Sequence, residues 1–271
     1  MIKTAVTIAL VPQARQGPFV FHGDLIGSVR KAAALGFDAV EVFPPSAEAL
    51  EIGELKKVLG DTGLKLAAVG TGAGWVVHQL TLIETDAARN QRAQDFVWGL
   101  MDAAAELGAP VIVGSMQGRY EPDYKNQVLS RLAVRLQDLG KRAGGLGVPL
   151  LYEPLNRYET NLFNRQSDAA NWLRVFRIGN VKLLCDLFHM NIEEADVAAT
   201  LRRVRDLLGH IHFVDSNRRA PGMGHTDFEA IVRALREIGY DGYASAECFP
   251  LPDSDTAARQ TIETYKKLFN D

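Results

Sequence analysis

The stretch that decides the fold runs from residue 124 to residue 154 and reads YKNQVLSRLAVRLQDLGKRAGGLGVPLLYEP. Its first part places apolar residues at steps of three and four, the period of an amphipathic helix. A glycine-rich turn at Gly147 ends that helix, and the apolar run that follows has the length of one buried strand. The strand ends on an acid, Glu153. A helix, a glycine stop and a strand with a terminal carboxylate therefore form the unit to look for elsewhere.

Short apolar runs of the same kind recur along the chain, and each is followed by room for a helix. The predicted strands are Lys3–Leu10, Ala39–Phe43, Lys65–Gly70, Pro110–Ser115, Pro149–Glu153, Val181–Asp186, His210–Val214 and Tyr243–Glu247. Alternation of strands and helices is typical of a parallel sheet. With 271 residues in the chain, these units predict a single α/β domain, a (β/α)₈ TIM barrel spanning residues 1–271.

A doubly wound open sheet uses the same alternation and is the competing architecture. It predicts a nucleotide-binding loop early in the chain. The segment after the first strand, VPQARQGPFVF at residues 11–21, lacks a G-x-G-x-x-G series, and no G-x-x-x-x-G-K-[ST] occurs anywhere. The barrel is therefore favoured.

Composition and charge exclude several classes of function. The formal net charge is −3 and basic residues are scattered, so we expect no nucleic-acid partner. Only two cysteines occur, Cys185 and Cys248, which favours a reducing cytoplasm over a disulfide framework. The run Thr4–Val11 is short for a signal peptide and is interpreted as the first strand. No apolar run approaches the roughly 20 residues of a membrane span, so we expect no membrane role.

Four strands in the second half of the chain end on, or contain, side chains that bind metals. These residues are Glu153, Asp186, His212 and Glu247, at intervals of 33, 26 and 35 residues. One βαβ repeat takes about 30 residues, so the four lie on successive strands. A single acid at a strand end is often only a helix cap, but the C-terminal ends of barrel strands all meet at one mouth. The spacing therefore predicts that the four side chains converge.

Three carboxylates and one imidazole suit one divalent cation that accepts oxygen and nitrogen ligands. Mn²⁺, Co²⁺ and Mg²⁺ fit this set, and Zn²⁺ is less favoured because its structural sites usually recruit thiolates. Cys185 and Cys248 adjoin two of the predicted ligands in sequence. Neighbouring residues on a strand point to opposite faces, so we expect both thiols to pack against the helix layer instead.

Four motifs resemble those of a known protein family: YEPLNRYET from residue 152, CDLFHMNIEE from 185, HFVDSNR from 212 and AEC from 246. Together they resemble the ketose 3-epimerase branch of the xylose isomerase-like TIM barrels, over about residues 149–247. The resemblance implies metal positions at the four residues already singled out. It further implies that Glu159, His189 and Arg218 bind the sugar around its reacting carbons.

The implied activity is epimerisation of a ketose or ketose phosphate at C3 through an enediolate. A cation polarises the C2 carbonyl, one of Glu153 and Glu247 removes the C3 proton, and the other returns a proton to the opposite face. Hydroxypyruvate or aldose–ketose isomerisation, and dehydration of an inosose, would begin with the same proton abstraction. The same superfamily also contains a DNA-repair endonuclease, but this chain shows no basic groove for it.

The sequences of the loops around the predicted mouth do not determine which substrate binds. The segment NRRAPGMGH at residues 217–225 and Arg119 are candidate anion sites, because barrels often bind phosphate after strands seven and eight. Trp75 is predicted to form a hydrophobic wall, a lid or part of the core. His189 is expected in the turn that leaves the barrel, and His210 is expected to be structural. Barrel enzymes often pair, so homo-oligomerisation stays open.

Overall fold

The structure, a computed structural model, describes residues 1–269. Residues 270 and 271 of the predicted domain lie outside the described part of the chain. The strands are β1 (Lys3–Ala9), β2 (Phe21–His22), β3 (Ala39–Phe43), β4 (Lys65–Gly70), β5 (Val111–Val113), β6 (Leu150–Tyr152), β7 (Val181–Asp186), β8 (Leu208–His212) and β9 (Tyr243–Ala246). The α-helices are α1 (Leu25–Leu35), α2 (Ile52–Thr62), α3 (Ala73–Val76), α4 (Ala87–Ala105), α5 (Lys125–Gly145), α6 (Gln166–Val175), α7 (Leu187–Glu193), α8 (Val197–Arg203), α9 (Phe228–Glu237) and α10 (Ser254–Phe269).

The strands form one closed parallel sheet. Each of β1 and β3 to β9 pairs with the next in chain order, and β1 pairs with β9 to close the ring. The eight-stranded barrel predicted from the sequence is therefore confirmed, and the open sheet is excluded. The short strand β2 pairs only with the end of β1. It was not predicted, because two residues are too few to show a period.

Three predicted strands, Ala39–Phe43, Lys65–Gly70 and Val181–Asp186, have the observed bounds. The other predicted strands extend past the observed C-terminal ends by one or two residues, as where β6 stops at Tyr152 rather than Glu153. Sheet pairing stops there because the chain turns into the loops of the mouth. Apolar patterning continues beyond the last paired residue and so gives no sign of this turn.

Side chains alternate between the inside of the barrel and the helix layer. On β3, Val40 and Val42 belong to the large core that joins strands to helices. Ala39 and Phe43 belong to two small clusters inside the barrel. Glu41, between these two interior residues, therefore also points inward.

Both cysteines obey the same alternation. Cys185 and Cys248 are buried, free and part of the core between strands and helices. The prediction that they face away from the mouth is confirmed. Among residues 1–269, no helix is both long and apolar enough to cross a membrane.

Candidate active site

The four predicted metal ligands lie together at the mouth of the barrel. Asp186 and His212 are the last residues of β7 and β8, while Glu153 and Glu247 directly follow β6 and β9. One ligand atom from each lies within 4.8 Å of the others. His212 Nδ1 is the common neighbour: it stands 3.4 Å from Glu153 Oε1, 3.3 Å from Asp186 Oδ2 and 3.5 Å from Glu247 Oε2. The convergence expected from the spacing is present.

Asp186 has two roles, one for each carboxylate oxygen. Its Oδ1 accepts hydrogen bonds from the backbone N–H of Phe188 at 2.7 Å and of His189 at 3.3 Å, which caps the start of α7. Its Oδ2 faces His212. The cap therefore fixes the orientation of the carboxylate and leaves one oxygen available at the mouth.

The donor set fits a divalent cation. Asp186 is fully buried, and Glu153 and Glu247 are each only 6% exposed. Three buried carboxylates repel one another unless positive charge compensates them. Glu153 Oε1 and His189 Nε2 have no hydrogen-bond partner among the described residues, although they lie 4.0 Å apart. Oxygen and imidazole donors around such unpartnered atoms are the ligands that Mn²⁺, Co²⁺ and Mg²⁺ accept.

Glu153 and His212 both have pKa values well away from their usual ranges. Burial raises the pKa of Glu153 to about 7, and the nearby His212 offsets only part of that effect. Burial lowers the pKa of His212, but the charges of Glu41 and Glu247 outweigh it and hold that pKa well above its usual range. A cation would therefore compete with protons for both groups.

Arg218 is the one described arginine or lysine side chain that contacts these acids. Its Nη2 donates to Glu247 Oε2 and lies 3.6 Å from Asp186 Oδ2. Its guanidinium also stacks over the ring of Phe188, 4.8 Å from the centroid. Burial lowers the pKa of Arg218, but Glu247 and the other acids outweigh it and raise that pKa. Arg218 therefore stays charged and partly balances the site.

His189 lies in the first turn of α7, directly after β7, which agrees with its predicted place in the turn that leaves the barrel. The cap on Asp186 makes this turn the start of a helix. Asn156 Oδ1 accepts from Tyr158 N at 2.9 Å, which turns the amide Nδ2 toward His189 Nδ1 at 2.7 Å. An amide nitrogen donates, so Nδ1 of the neutral ring accepts and Nε2 keeps its proton. That N–H is directed at the cavity.

Glu159 lies beside this pair rather than alone on the surface. Its Oε1 accepts from Asn156 Nδ2 at 2.9 Å and lies 3.8 Å from His189 Nδ1 and 3.6 Å from Arg218 Nη1. The three residues that the resemblance placed around the sugar are therefore adjacent. Asn156, which connects them, was not singled out from the sequence, although it stands inside the quoted motif.

Glu41 is the second residue that the sequence did not indicate. It is fully buried on β3, with Oε1 2.9 Å from His212 Nε2 and Oε2 2.6 Å from His210 Nε2. Burial raises the pKa of Glu41, but the charges and hydrogen bonds of the two histidines outweigh it and keep that pKa well below its usual range. A lone glutamate inside the apolar run AVEVF was the available signal, since buried glutamates are rarely unpaired.

A cavity of about 1070 Å³ opens above the acids. Glu153, Glu247, Glu159, His189 and Arg218 line its floor, so all the predicted catalytic and substrate-binding residues border it. The other two predicted metal ligands, Asp186 and His212, are fully buried and do not line it.

The upper wall of the cavity is largely apolar. Phe19, Ile83 and Phe249 line it together with Trp75, which is 39% exposed and lies on the short helix α3. Trp75 is therefore part of a hydrophobic wall. Arg119 also lines the cavity, with Nη1 donating to Tyr158 O at 3.1 Å.

The glycine-rich loop after β8 is organised by an acid, Asp215. Its Oδ2 accepts from the backbone N–H of Gly222 and Gly224, each at 2.8 Å, and its Oδ1 accepts from those of Ser216 at 2.8 Å and Thr226 at 3.1 Å. The amides that could have cradled an anion are therefore occupied by a carboxylate of the same loop.

Several proteins similar to this chain are epimerases. The sequence profile of the xylose isomerase-like TIM barrel family matches residues 29–268. A D-psicose 3-epimerase of Ruminiclostridium cellulolyticum is 31% identical over 229 residues, covering 82% of this chain and 77% of its own. A 3-dehydro-D-guloside 4-epimerase of Escherichia coli K12 is 31% identical over 242 residues, covering 86% of this chain and 90% of its own.

The fold is shared with solved structures. A D-psicose 3-epimerase from Clostridium cellulolyticum H10, crystallised with D-tagatose, superposes with a TM-score of 0.81 at 24% identity, covering 98% of this chain and 99% of that one. The chain therefore belongs to the xylose isomerase-like TIM barrel family, alongside its ketose 3-epimerases, and is an isomerase.

Proposed function

We propose that the protein epimerises an unphosphorylated ketose at C3, with one divalent cation, Mn²⁺, held by Glu153, Asp186, His212 and Glu247. One observation supports this most strongly: two buried glutamates reach the same imidazole from strands three apart, and one of them keeps an unpartnered oxygen. Inversion at carbon needs a base on one face and an acid on the other. The relatives named as ketose 3-epimerases agree with this reaction. We place the enzyme in the cytoplasm, acting on a small-molecule sugar.

In this mechanism the cation, when bound, would polarise the substrate carbonyl and make the adjacent C3 proton more acidic. The carboxylate of Glu153, which keeps an oxygen without a partner among the described residues, accepts that proton. Glu247, held by Arg218, returns a proton to the other face. His189 Nε2 and Arg218 donate to the substrate oxygens on which negative charge develops. The apolar wall above keeps bulk water from the carbanionic carbon.

The absence of phosphate from the proposed substrate follows from the two loops where barrels usually bind it. In the loop after β8, Asp215 occupies the backbone amides. In the loop after β9, residues 247–253 read ECFPLPD and contain no basic side chain. The start of α10 is capped by Asp253, whose Oδ1 accepts from Thr256 N at 2.8 Å. Carboxylates at both positions would repel a phosphate.

The proposal is tested by exchange of the C3 proton with deuterated water. Chelated protein is given Mn²⁺ and a panel of free and phosphorylated ketoses. The wild type should exchange and invert C3 of a free ketose, while Glu153→Gln and Glu247→Gln should each lose exchange by about 100-fold or more. Glu237→Gln, at a surface pair with Arg202, is the matched control and should keep full activity.

Other outcomes would replace the proposal with a different reaction. Normal exchange in either glutamine variant contradicts the two-base scheme, and exchange without added cation contradicts the metal. An aldose product would indicate an aldose–ketose isomerase, and loss of water from an inosose would indicate a dehydratase. Faster turnover of phosphorylated ketoses would contradict the proposed substrate class.

A further inference from the structure

A chain of three buried side chains crosses the interior of the barrel beneath the acids. His210 Nε2 lies 2.6 Å from Glu41 Oε2, and Glu41 Oε1 lies 2.9 Å from His212 Nε2. The side chains of all three are at most 2% exposed. β3 and β8 are not neighbours in the sheet, so the chain spans the barrel rather than a ladder of adjacent strands.

The hydrogen-bond directions in this chain follow from chemistry. A carboxylate only accepts, so both imidazoles direct an Nε2–H at Glu41. For His212 this leaves Nδ1 as the atom with a free lone pair in the neutral ring. Nδ1 is also the atom that lies 3.3 Å to 3.5 Å from the three acids of the mouth. The bond to Glu41 and the approach to the acids therefore require the same ring orientation.

Local backbone geometry supports the placement of Glu41. The register between β3 and β4 shifts between Val40 and Glu41. Irregularities of this kind in a sheet redirect a side chain and are common beside active sites.

A second cation bound by Glu41, His210 and His212 fits the structure poorly. Both carboxylate oxygens are already at hydrogen-bond distance from a ring nitrogen. Glu41 and His210 do not line the cavity and lie beneath the acids. These contacts fit a support for His212 rather than a site of its own.

We propose that Glu41 is a positioning residue of the cation site. It fixes the ring and the tautomer of His212 so that Nδ1 faces Glu153, Asp186 and Glu247, and His210 holds the second oxygen of Glu41 in place. This inference rests on the cation of the proposed function but not on the sugar or the reaction.

The test measures Mn²⁺ affinity by calorimetry on chelated protein, with no substrate present. Glu41→Gln keeps the shape of the side chain but removes its charge and one acceptor, so Mn²⁺ affinity should fall about 10- to 100-fold. His210→Gln should lower it by a smaller factor, because His212 keeps its own bond. Asp38→Asn is the matched control, an acid directly before the start of the same strand that bonds Thr4, and should leave affinity unchanged.

A second measurement needs no variant. In wild-type protein with ¹⁵N-labelled histidine, the ring of His212 should be protonated at Nε2 and not at Nδ1 when a diamagnetic cation such as Mg²⁺ is bound. Wild-type Mn²⁺ affinity in Glu41→Gln, an equal loss in Asp38→Asn, or an Nδ1-protonated His212 would each overturn the inference. If the wild type itself binds no Mn²⁺, the cation of the proposed function fails, whereas binding by the wild type with unchanged affinity in Glu41→Gln overturns only the positioning role of Glu41.

Discussion

The two halves of the barrel use buried glutamates in opposite ways. Glu41, on β3 in the first half, and Glu153, after β6 in the second, both contact the ring of His212. Both oxygens of Glu41 are bonded to imidazoles, whereas Glu153 Oε1 has no partner among residues 1–269. A carboxylate with both oxygens engaged can only hold its neighbours, and one with a free oxygen can bind a ligand or move a proton.

Position relative to the cavity follows the same division. Glu153 and Glu247 line the cavity, while Glu41 lies beneath it and does not. Buried acids that are fully paired add order to the fold, and those left open carry a desolvation penalty that a ligand relieves. The contrast predicts which substitutions change cation binding, which change turnover, and which change only stability.

The largest effect is expected at Asp186, because one of its carboxylate oxygens is bonded to the backbone and the other is left open toward His212. In Asp186→Asn the amide oxygen can still cap α7, but the oxygen that faces His212 is replaced by a donor. Mn²⁺ affinity should fall by more than about 100-fold, beyond the range for residues outside the coordination sphere, while the melting temperature of the metal-free protein changes little. Calorimetry and thermal denaturation measure the two.

Asp196→Asn provides the control for that experiment. Asp196 caps α8 in the same way, accepting from Ala199 N at 2.9 Å, and does not line the cavity. Its Mn²⁺ affinity should equal that of the wild type. A comparable loss in both variants would mean that helix capping, and not the free oxygen, determines binding.

A smaller effect is expected from moving Glu153 without changing it. A Cβ added at Gly114 would stand 2.5 Å from Glu153 Oε2, so Gly114→Ala must displace the carboxylate. Displacement of a reacting group by about 1 Å can cost about 100-fold in rate, and kcat/KM should fall by about 10- to 100-fold. Steady-state kinetics on the best ketose measure it. Gly60→Ala, in open space on α2, is the control, and equal activities in the two variants would show that the site tolerates a displaced Glu153.

The smallest functional effect is expected at Asp215, a second acid with both oxygens engaged. Burial raises the pKa of Asp215, but hydrogen bonds from Thr226, Ser216 and Gly224 outweigh it and lower that pKa. Such a group stabilises the fold above its unfolded pKa of about 3.9, and the contribution is lost as the pH falls through the lower folded pKa. Asp215→Asn should cost about 1–3 kcal/mol at neutral pH and progressively less in acid, with little change in Mn²⁺ affinity.

Urea denaturation of Asp215→Asn and wild type at several pH values measures this difference. Asp227→Asn, at the exposed cap of α9, should cost less because only one backbone bond, from Ala230 N at 3.0 Å, is involved. A stability difference that grows toward acid pH would contradict a lowered pKa of Asp215 in the folded protein.

The sequence allowed prediction of the barrel and of the four converging residues for one physical reason. The C-terminal ends of parallel strands in a closed barrel must meet, so repeat spacing alone places Glu153 and Asp186 together. Glu41 could not be found in this way. It lies in mid-strand, and its partners are 169 and 171 residues away on a strand across the barrel. Only closure of the sheet brings these three side chains into contact.

Local capping explains the remaining differences. The sequence places Asp186 at a strand end, but whether a helix or a turn follows depends on which oxygen of the carboxylate turns back to the chain. In this protein Oδ1 does so, and His189 enters α7. Likewise the direction of the Asn156 amide depends on the turn at Tyr158. Each of these local conformations is determined by a single hydrogen bond, which leaves no periodic pattern in the sequence.

The backbone of Arg218 has a consequence for the evolution of this chain. Its φ of 58° lies in the left-handed region, where glycine is unstrained and a long side chain is not. Glycine would relieve that strain but would leave Glu247 and Asp186 without the guanidinium that balances their charges, and breaking a buried ion pair costs more, about 3–5 kcal/mol. Directed evolution toward higher melting temperature should therefore keep arginine at this position despite its strained backbone.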